Sequence, residues 1–151
     1  RILFLDEPTN GLDPALRRNF YALIDELRAS GTTVLLSSHA LSELEDRAGR
    51  VVILDRGIRV ADGTLDELRR IACLPARIRV RPVTNGIGGH DPADWHDIGG
   101  GWLETEALPE GKLALLHDLT ADPAALNGLS VIEPTLDDLY AHFLESRRAA
   151  Q

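Results

Sequence analysis

The sequence contains no methionine and a single cysteine, and aromatic residues make up 5% of it. The lone thiol, Cys73, excludes an internal disulfide framework and fits a reducing compartment. No apolar run approaches the roughly 18–20 residues of a membrane-spanning helix, and no signal peptide opens the chain, so membrane contact is expected to go through a partner. Basic residues are outnumbered, 16 against 24 acidic, for a formal charge of −8. That balance gives a nucleic-acid partner no electrostatic support. Without a methionine, Arg1 is not expected to be a translation start, and an apolar strand beginning at Ile2 asks for sheet neighbours. The 151 residues are therefore expected to be the later part of a longer protein. An apolar content of 44% suffices for one medium core or two small ones.

What is present is concentrated at the start. Residues 1–14, RILFLDEPTNGLDP, run four apolar side chains, Ile2, Leu3, Phe4 and Leu5, into the acidic pair Asp6 and Glu7. An unalternated apolar run predicts a strand covered on both faces, and so a parallel sheet under helices. Ligands of such sheets bind beyond the carboxyl ends of the strands, where Asp6 and Glu7 fall. Burying a carboxylate is costly unless something compensates it. Two in succession ask for a cation, a polar ligand or solvent.

Asp13-Pro14 predicts a helix start, an N-cap acid followed by proline at the first helical position. Leu16, Phe20, Leu23, Ile24 and Leu27 fall on one helical face, and Gly31 supplies the stop. Residues 32–37 (TTVLLS) predict a second buried strand. Strand, helix and strand make a βαβ unit with parallel, neighbouring strands. Their carboxyl ends share one rim, which brings Asp6-Glu7 and Ser38-His39 to the same edge. A short amphipathic helix with Leu41, Leu44 and Ala48 inward is expected next, then a hairpin at the sheet edge from VVILD (Val51–Asp55) and residues 58–61. Thr64 caps a helix carrying Leu65, Leu68 and Ile71, with Asp66 and Glu67 in its first turn.

After Leu74-Pro75 the character changes. Ala76, Ile78, Val80 and Pro82 alternate with Arg77, Arg79 and Arg81, predicting a half-buried strand with a basic face. Residues 84–101 hold six of the thirteen glycines and read as one long loop. Strands at 102–107 and 129–133, a helix at 110–119 and a last helix from Pro134-Thr135 complete a small α+β sandwich. Leu136, Leu139, Tyr140, Phe143 and Leu144 are expected inward on that helix, and the Arg147-Arg148 tail in solvent.

LFLDEP followed by TNGLD resembles the Walker B strand and D-loop of ATP-binding cassette (ABC) ATPases, and LLSSHALSELE resembles their switch-histidine segment. The resemblance implies an α/β fold: part of a P-loop NTPase (RecA-like) parallel sheet with helices, followed by a small α+β C-terminal domain. Residues 1–74 would be the back half of the nucleotide-binding domain, 76–146 an accessory or regulatory domain and 147–151 a tail. It also implies an ATPase using ATP and Mg²⁺. In it Asp6 orients the water shell of the metal and Glu7 activates the attacking water. His39 touches the γ-phosphate, and Asp13 reaches across a head-to-tail dimer as well as capping its own helix. A transmembrane permease subunit and a second nucleotide-binding domain are the implied partners, at the cytoplasmic face of the inner membrane.

No G-x-x-x-x-G-K-[ST] loop and no LSGGQ-like signature occurs in the 151 residues, so the backbone cradle and lysine for the phosphates are missing and the chain alone is expected to be inactive. Gly11 and Ala40 depart from translation-type ABC proteins, where a histidine and an aspartate stand. Residues 37–70, SSHALSELEDRAGRVVILDRGIRVADGTLDELRR, are similar to exporter ATPases of the multidrug and ABC-2 type. ALSELED, LPARIRVR and EPTLDDLYAHF look most like the copper-processing subunit that accompanies nitrous-oxide reductase maturation. The contrasting reading is a non-catalytic, partner-binding regulatory module with a vestigial nucleotide edge. Intact Asp6, Glu7, Asp13 and His39 argue against it. His90, Asp91, Asp94, His96 and Asp97 form a cluster whose spacing matches no closed structural-zinc pattern. A solvated face is the simpler expectation for Arg77, Arg79 and Arg81.

Overall fold

The computed structural model describes residues 1–83 and 94–149. It divides into two compact units, Arg1–Leu44 and Glu45–Gln151.

The first unit is the expected βαβ. Strand β1 (Ile2–Asp6) pairs in parallel with β2 (Thr33–Ser37), and the register sets Ile2 opposite Thr33 and Asp6 opposite Ser37. Helix α1 (Pro14–Ala29) crosses between them. Asp13 caps it, and Gly31, at φ 85°, takes the left-handed position beyond its last turn. The strands are not covered on both faces. Ile2, Phe4 and Leu35 are exposed, while Leu3, Leu5, Val34 and Leu36 on the other face are partly covered. One helix covers one face only, so the apolar run is half used within this unit. The buried stripe of α1 is also turned from the expected one. Tyr21 and Ile24 are buried and Leu16 and Leu23 exposed, because the half-buried side chain of Arg17 joins Phe20, Tyr21, Ile24 and Leu27 on the inner face. The helix expected after His39 is only a 3₁₀ turn (Leu41–Glu43).

In the second unit, β3 (Val51–Asp55) and β4 (Ile58–Gly63) form an antiparallel hairpin that is a two-stranded sheet of its own, not an edge of the parallel sheet. Arg56 and Gly57 turn it with φ of 49° and 76°, the left-handed pair that two-residue hairpin loops require. Helix α2 (Leu65–Ala72) opens with a complete capping box of Thr64 and Glu67. It buries Leu68 and Ala72, whereas Ile71 is exposed, contrary to expectation.

Strands β5 (Ala76–Pro82), β6 (His96–Gly99), β7 (Trp102–Ala107) and β8 (Leu126–Ile132) make a four-stranded antiparallel sheet in the order β6-β7-β5-β8. Strand β6 lies inside the stretch expected to be loop. Helix α3 (Pro109–Leu119) follows β7, and its Leu119 closes one core with Ala76, Ile78, Val80, Trp95 and Ala107. Gly128 lets β8 pass beneath Trp102, whose ring would lie 2.7 Å from a Cβ there. The basic face of β5 is occupied: Arg79 pairs with Glu104 at 2.6 Å, and the Arg81 guanidinium lies 5.5 Å from the centre of the Trp102 ring.

Helix α4 (Leu136–Ala149) runs back to α2 and β4, where Leu139 joins Leu68 and Ala72 in a second core. Leu136 and Leu139 point inward as expected, but Tyr140 is exposed. Arg147 does not trail into solvent. Its Nη1 donates to the Asp55 carbonyl at 2.6 Å and to the Asp55 carboxylate at 2.8 Å.

Candidate functional site

The parallel register of β1 and β2 is what assembles the edge. Asp6 ends its strand opposite Ser37, and the Ser37 hydroxyl donates to Asp6 Oδ1. One residue on, the Glu7 N–H donates to Ser37 Oγ at 3.0 Å and to the Ser37 carbonyl at 3.2 Å. Glu7 sits at φ 44°, a left-handed conformation that is uncommon for a residue with a Cβ. This turn at the strand end brings its carboxylate to the imidazole leaving β2: Glu7 Oε2 and His39 Nδ1 are 2.8 Å apart. The His39 side chain is 74% exposed and that of Glu7 36%, so the pair faces the open rim. Ser38 holds the next turn by accepting the Ala40 N–H at 3.1 Å.

The segment after Glu7 is a built turn. The Asn10 N–H donates to the Glu7 carbonyl at 3.1 Å and the Leu12 N–H to the Thr9 carbonyl at 3.1 Å, with Thr9 buried and Gly11 at φ 75°. Asp13 serves as the helix cap. Its Oδ1 accepts the N–H of Ala15 at 2.8 Å and of Leu16 at 2.9 Å. The structure thus joins Asp6, Glu7 and His39 through hydrogen bonds, while Asp13 stands apart at the start of α1. Ser37 was not singled out in the sequence; the pairing of Asp6 and Ser37 at the ends of adjacent strands was the available signal.

Asp6 is exposed, and Ser37 engages only one of its carboxylate oxygens among the described residues. Hard carboxylate oxygens on one or two residues, completed by water and phosphate oxygens, suit Mg²⁺, and this donor set fits that ion. Of the His/Asp cluster at residues 90–97, His90 and Asp91 lie outside the described residues. Among the described residues no group of three or more His, Cys, Asp or Glu side chains is placed to hold a metal. Asp97 instead accepts the Gly99 N–H at 2.7 Å.

Two parallel strands that deliver carboxylates and an imidazole to one rim define an α/β ligand edge. The comparisons with known proteins agree with that class. The family described as "AAA domain, putative AbiEii toxin, Type IV TA system" matches residues 1–45. Over 70 residues, 46% of this chain and 22% of the relative, the chain is 44% identical to the daunorubicin resistance ATP-binding protein DrrA2 of Streptomyces coeruleorubidus. It is 46% identical over 67 residues to an uncharacterized ABC transporter ATP-binding protein of Nostoc sp., covering 44% of this chain and 20% of that one. With the probable multidrug ABC transporter ATP-binding protein YbhF of Escherichia coli it shares 46% identity over 70 residues, 45% of this chain and 12% of YbhF. Over the aligned stretch the chain is therefore similar to ABC transporter ATP-binding proteins. It spans about a fifth of the length of the first two and 12% of the third.

Proposed function

We propose that these residues carry the hydrolysis edge of an ATP-binding, ATP-hydrolysing subunit that powers an ABC exporter through a separate membrane subunit. The observation that carries this reading is the contact of Glu7 Oε2 with His39 Nδ1 at 2.8 Å, made at the rim where Asp6 also ends its strand. Phosphoryl transfer asks a protein for positioning and charge neutralisation more than for covalent chemistry. Glu7 is the base: it takes a proton from the attacking water. His39 orients the Glu7 carboxylate and touches the γ-phosphate. Asp6 would hold the water shell of Mg²⁺ by its oxygen not engaged with Ser37. When bound, the metal neutralises charge on the phosphate oxygens. Asp13 keeps α1 capped and reaches toward a second nucleotide-binding domain in a head-to-tail dimer.

No helix among the described residues is long and apolar enough to cross a membrane. Attachment to the cytoplasmic face of the inner membrane through a transmembrane permease subunit is the corresponding proposal. Functionally we divide the chain into residues 1–74, the nucleotide-binding part, and residues 76–146, an accessory part. Relatives named for daunorubicin resistance favour drug export, whereas ALSELED, LPARIRVR and EPTLDDLYAHF favour copper processing for nitrous-oxide reductase. A strain lacking the gene separates the two: loss of copper-loaded reductase supports the second, daunorubicin sensitivity the first.

The test of the base is Glu7→Gln in the full-length protein. General-base contributions are typically ~10²–10⁴-fold. Phosphate release is expected to fall by that order while ATP binding survives and ATP holds two copies together in size-exclusion chromatography. Wild-type hydrolysis by the variant, or a variant that stays monomeric with ATP, overturns the assignment.

A further inference from the structure

One polar group at the edge has no part in the proposed chemistry, the Ser37 hydroxyl. We propose that Ser37 is a positioning residue for the acidic pair: by one hydroxyl it fixes the Asp6 carboxylate and the Glu7 peptide, and through them the stance of Glu7 toward His39. The catalytic consequence rests on the proposed function; the structural one does not.

A hydroxyl has one proton and two lone pairs. The Glu7 amide can only donate, so it takes a lone pair, at 3.0 Å. Asp6 Oδ1, an acceptor, takes the proton. The two bonds therefore run in a fixed direction, amide to hydroxyl to carboxylate, and each occupies what the other leaves free. Ser37 also stands in ladder register with Asp6, so its position is set by the strand pairing and not by a loop.

Glu7 needs such a hold. A left-handed backbone is disfavoured for a residue with a Cβ, and the Glu7 N–H is bonded only to atoms of Ser37 among the described residues. Without the hydroxyl, Glu7 keeps the longer bond to the Ser37 carbonyl and gains freedom to leave φ 44°. Its carboxylate then drifts from His39. Asp6 loses the partner that directs its other oxygen outward. The neighbouring Ser38 is one residue too far along and bonds Ala40 instead. Because Ser37 and Asp6 are exposed, water replaces the lost bonds cheaply. The loss falls on geometry more than on stability.

The test compares Ser37→Ala, which removes the hydroxyl, with Ser37→Thr, which keeps it on a residue that suits a strand. In the full-length protein, Ser37→Ala is expected to lower kcat by about 10²-fold, the cost of a misplaced catalytic group, with KM for ATP little changed and Thr restoring most of the rate. Independently of turnover, amide hydrogen exchange at Glu7 is expected to speed up about tenfold in the Ala variant, with the amides of residues 3–5 and 34–36 unaffected. Unchanged exchange at Glu7 overturns the proposal, and so does a Thr variant as impaired as Ala with every strand amide loosened. A wild-type protein without ATP turnover overturns the proposed function instead, and the exchange at Glu7 still decides the role of Ser37. Should Ser37→Ala fail to fold, Ser37→Cys, of similar size with a weaker donor, is read the same way.

Discussion

Arg17 and Glu43, twenty-six positions apart, form an ion pair that ties helix α1 to the turn following His39. The same guanidinium donates from Nη2 to the Leu12 carbonyl at 2.9 Å, and Tyr21 Oη donates to the other Glu43 oxygen at 3.1 Å. Arg17 thereby joins the turn that leads into Asp13 to the turn that follows His39. Its Nε is buried without a partner, so the side chain is held for its two terminal nitrogens. A lysine offers one ammonium where a planar fork now serves two acceptors.

Arg17→Lys is accordingly expected to destabilise the chain by about 1–2 kcal/mol, the scale of a lost charge-assisted hydrogen bond, and Glu43→Gln by less, since Tyr21 keeps its acceptor. Urea unfolding of the two variants checks this. A lysine variant as stable as wild type would mean that the pair is a surface ornament of the kind that contributes nothing measurable.

How far this edge was legible depended on how local each signal was. The cap at Asp13, the two strands and the rim shared by Glu7 and His39 follow from residues adjacent in sequence and from the handedness of a βαβ crossover. Arg17 escaped because a charged residue breaks an apolar stripe on paper, although its stem lines the buried face. Ile2 and Phe4 were expected to be buried because an apolar run records a need for cover and not whether the neighbouring chain supplies it. Strand β6 is four residues long, ends in glycine and, among the described residues, pairs with β7 alone, too little to show a period. The packing of α4 on α2 joins residues about seventy positions apart, which no local pattern encodes.

The 151 residues alone are expected to show no ATP turnover above background, because no phosphate loop is among them. The check is a phosphate-release assay with Mg²⁺ on the purified chain. Metal-dependent hydrolysis that disappears in Glu7→Ala would refute this and place the phosphate-binding function somewhere among these residues.

Acid is expected to weaken the second unit through three carboxylates. The Thr135 hydroxyl and then its N–H hold Asp138 below its ordinary value. The bond from Arg50 lowers Asp62, and the Thr64 N–H lowers Glu67. Each is depressed in the folded state, so the unfolded chain takes up the proton first. The stabilisation is whole above the ordinary carboxylate range of about pH 4 and fades as pH falls through it, until the folded-state values too are passed. Thr135→Val removes one donor to Asp138. The gap in Tm between wild type and this variant should therefore be widest near about pH 6 and shrink below about pH 4. A gap that stays constant across that range would show that Thr135 acts by helix capping alone, with no linkage to the charge.

Which parts of residues 45–149 open together depends on where their buried side chains gather. Composition places a boundary at 74/76, but the buried residues gather in two clusters that do not respect it. Ala76, Ile78 and Val80 belong to the four-stranded sheet and α3, whereas Leu139, sixty residues later, is fully buried with Leu68 and Ala72 of α2. Arg147 adds a bond from the end of α4 to Asp55 in the hairpin, and the Arg69 guanidinium donates to the Pro134 carbonyl at 2.8 Å. Leu139→Ala leaves a cavity at the centre of the second cluster, a change that costs about 2–5 kcal/mol in a well-packed core. In hydrogen exchange, the amides of β4, α2 and α4 should lose protection together, while those of Ile78 and Val80 in β5 keep theirs. If instead only α4 opens and α2 stays protected, residues 76–146 separate from what precedes them, as composition implies. If β5 opens with α2, the two clusters are one cooperative core and the whole unit from Glu45 onward folds as a single body.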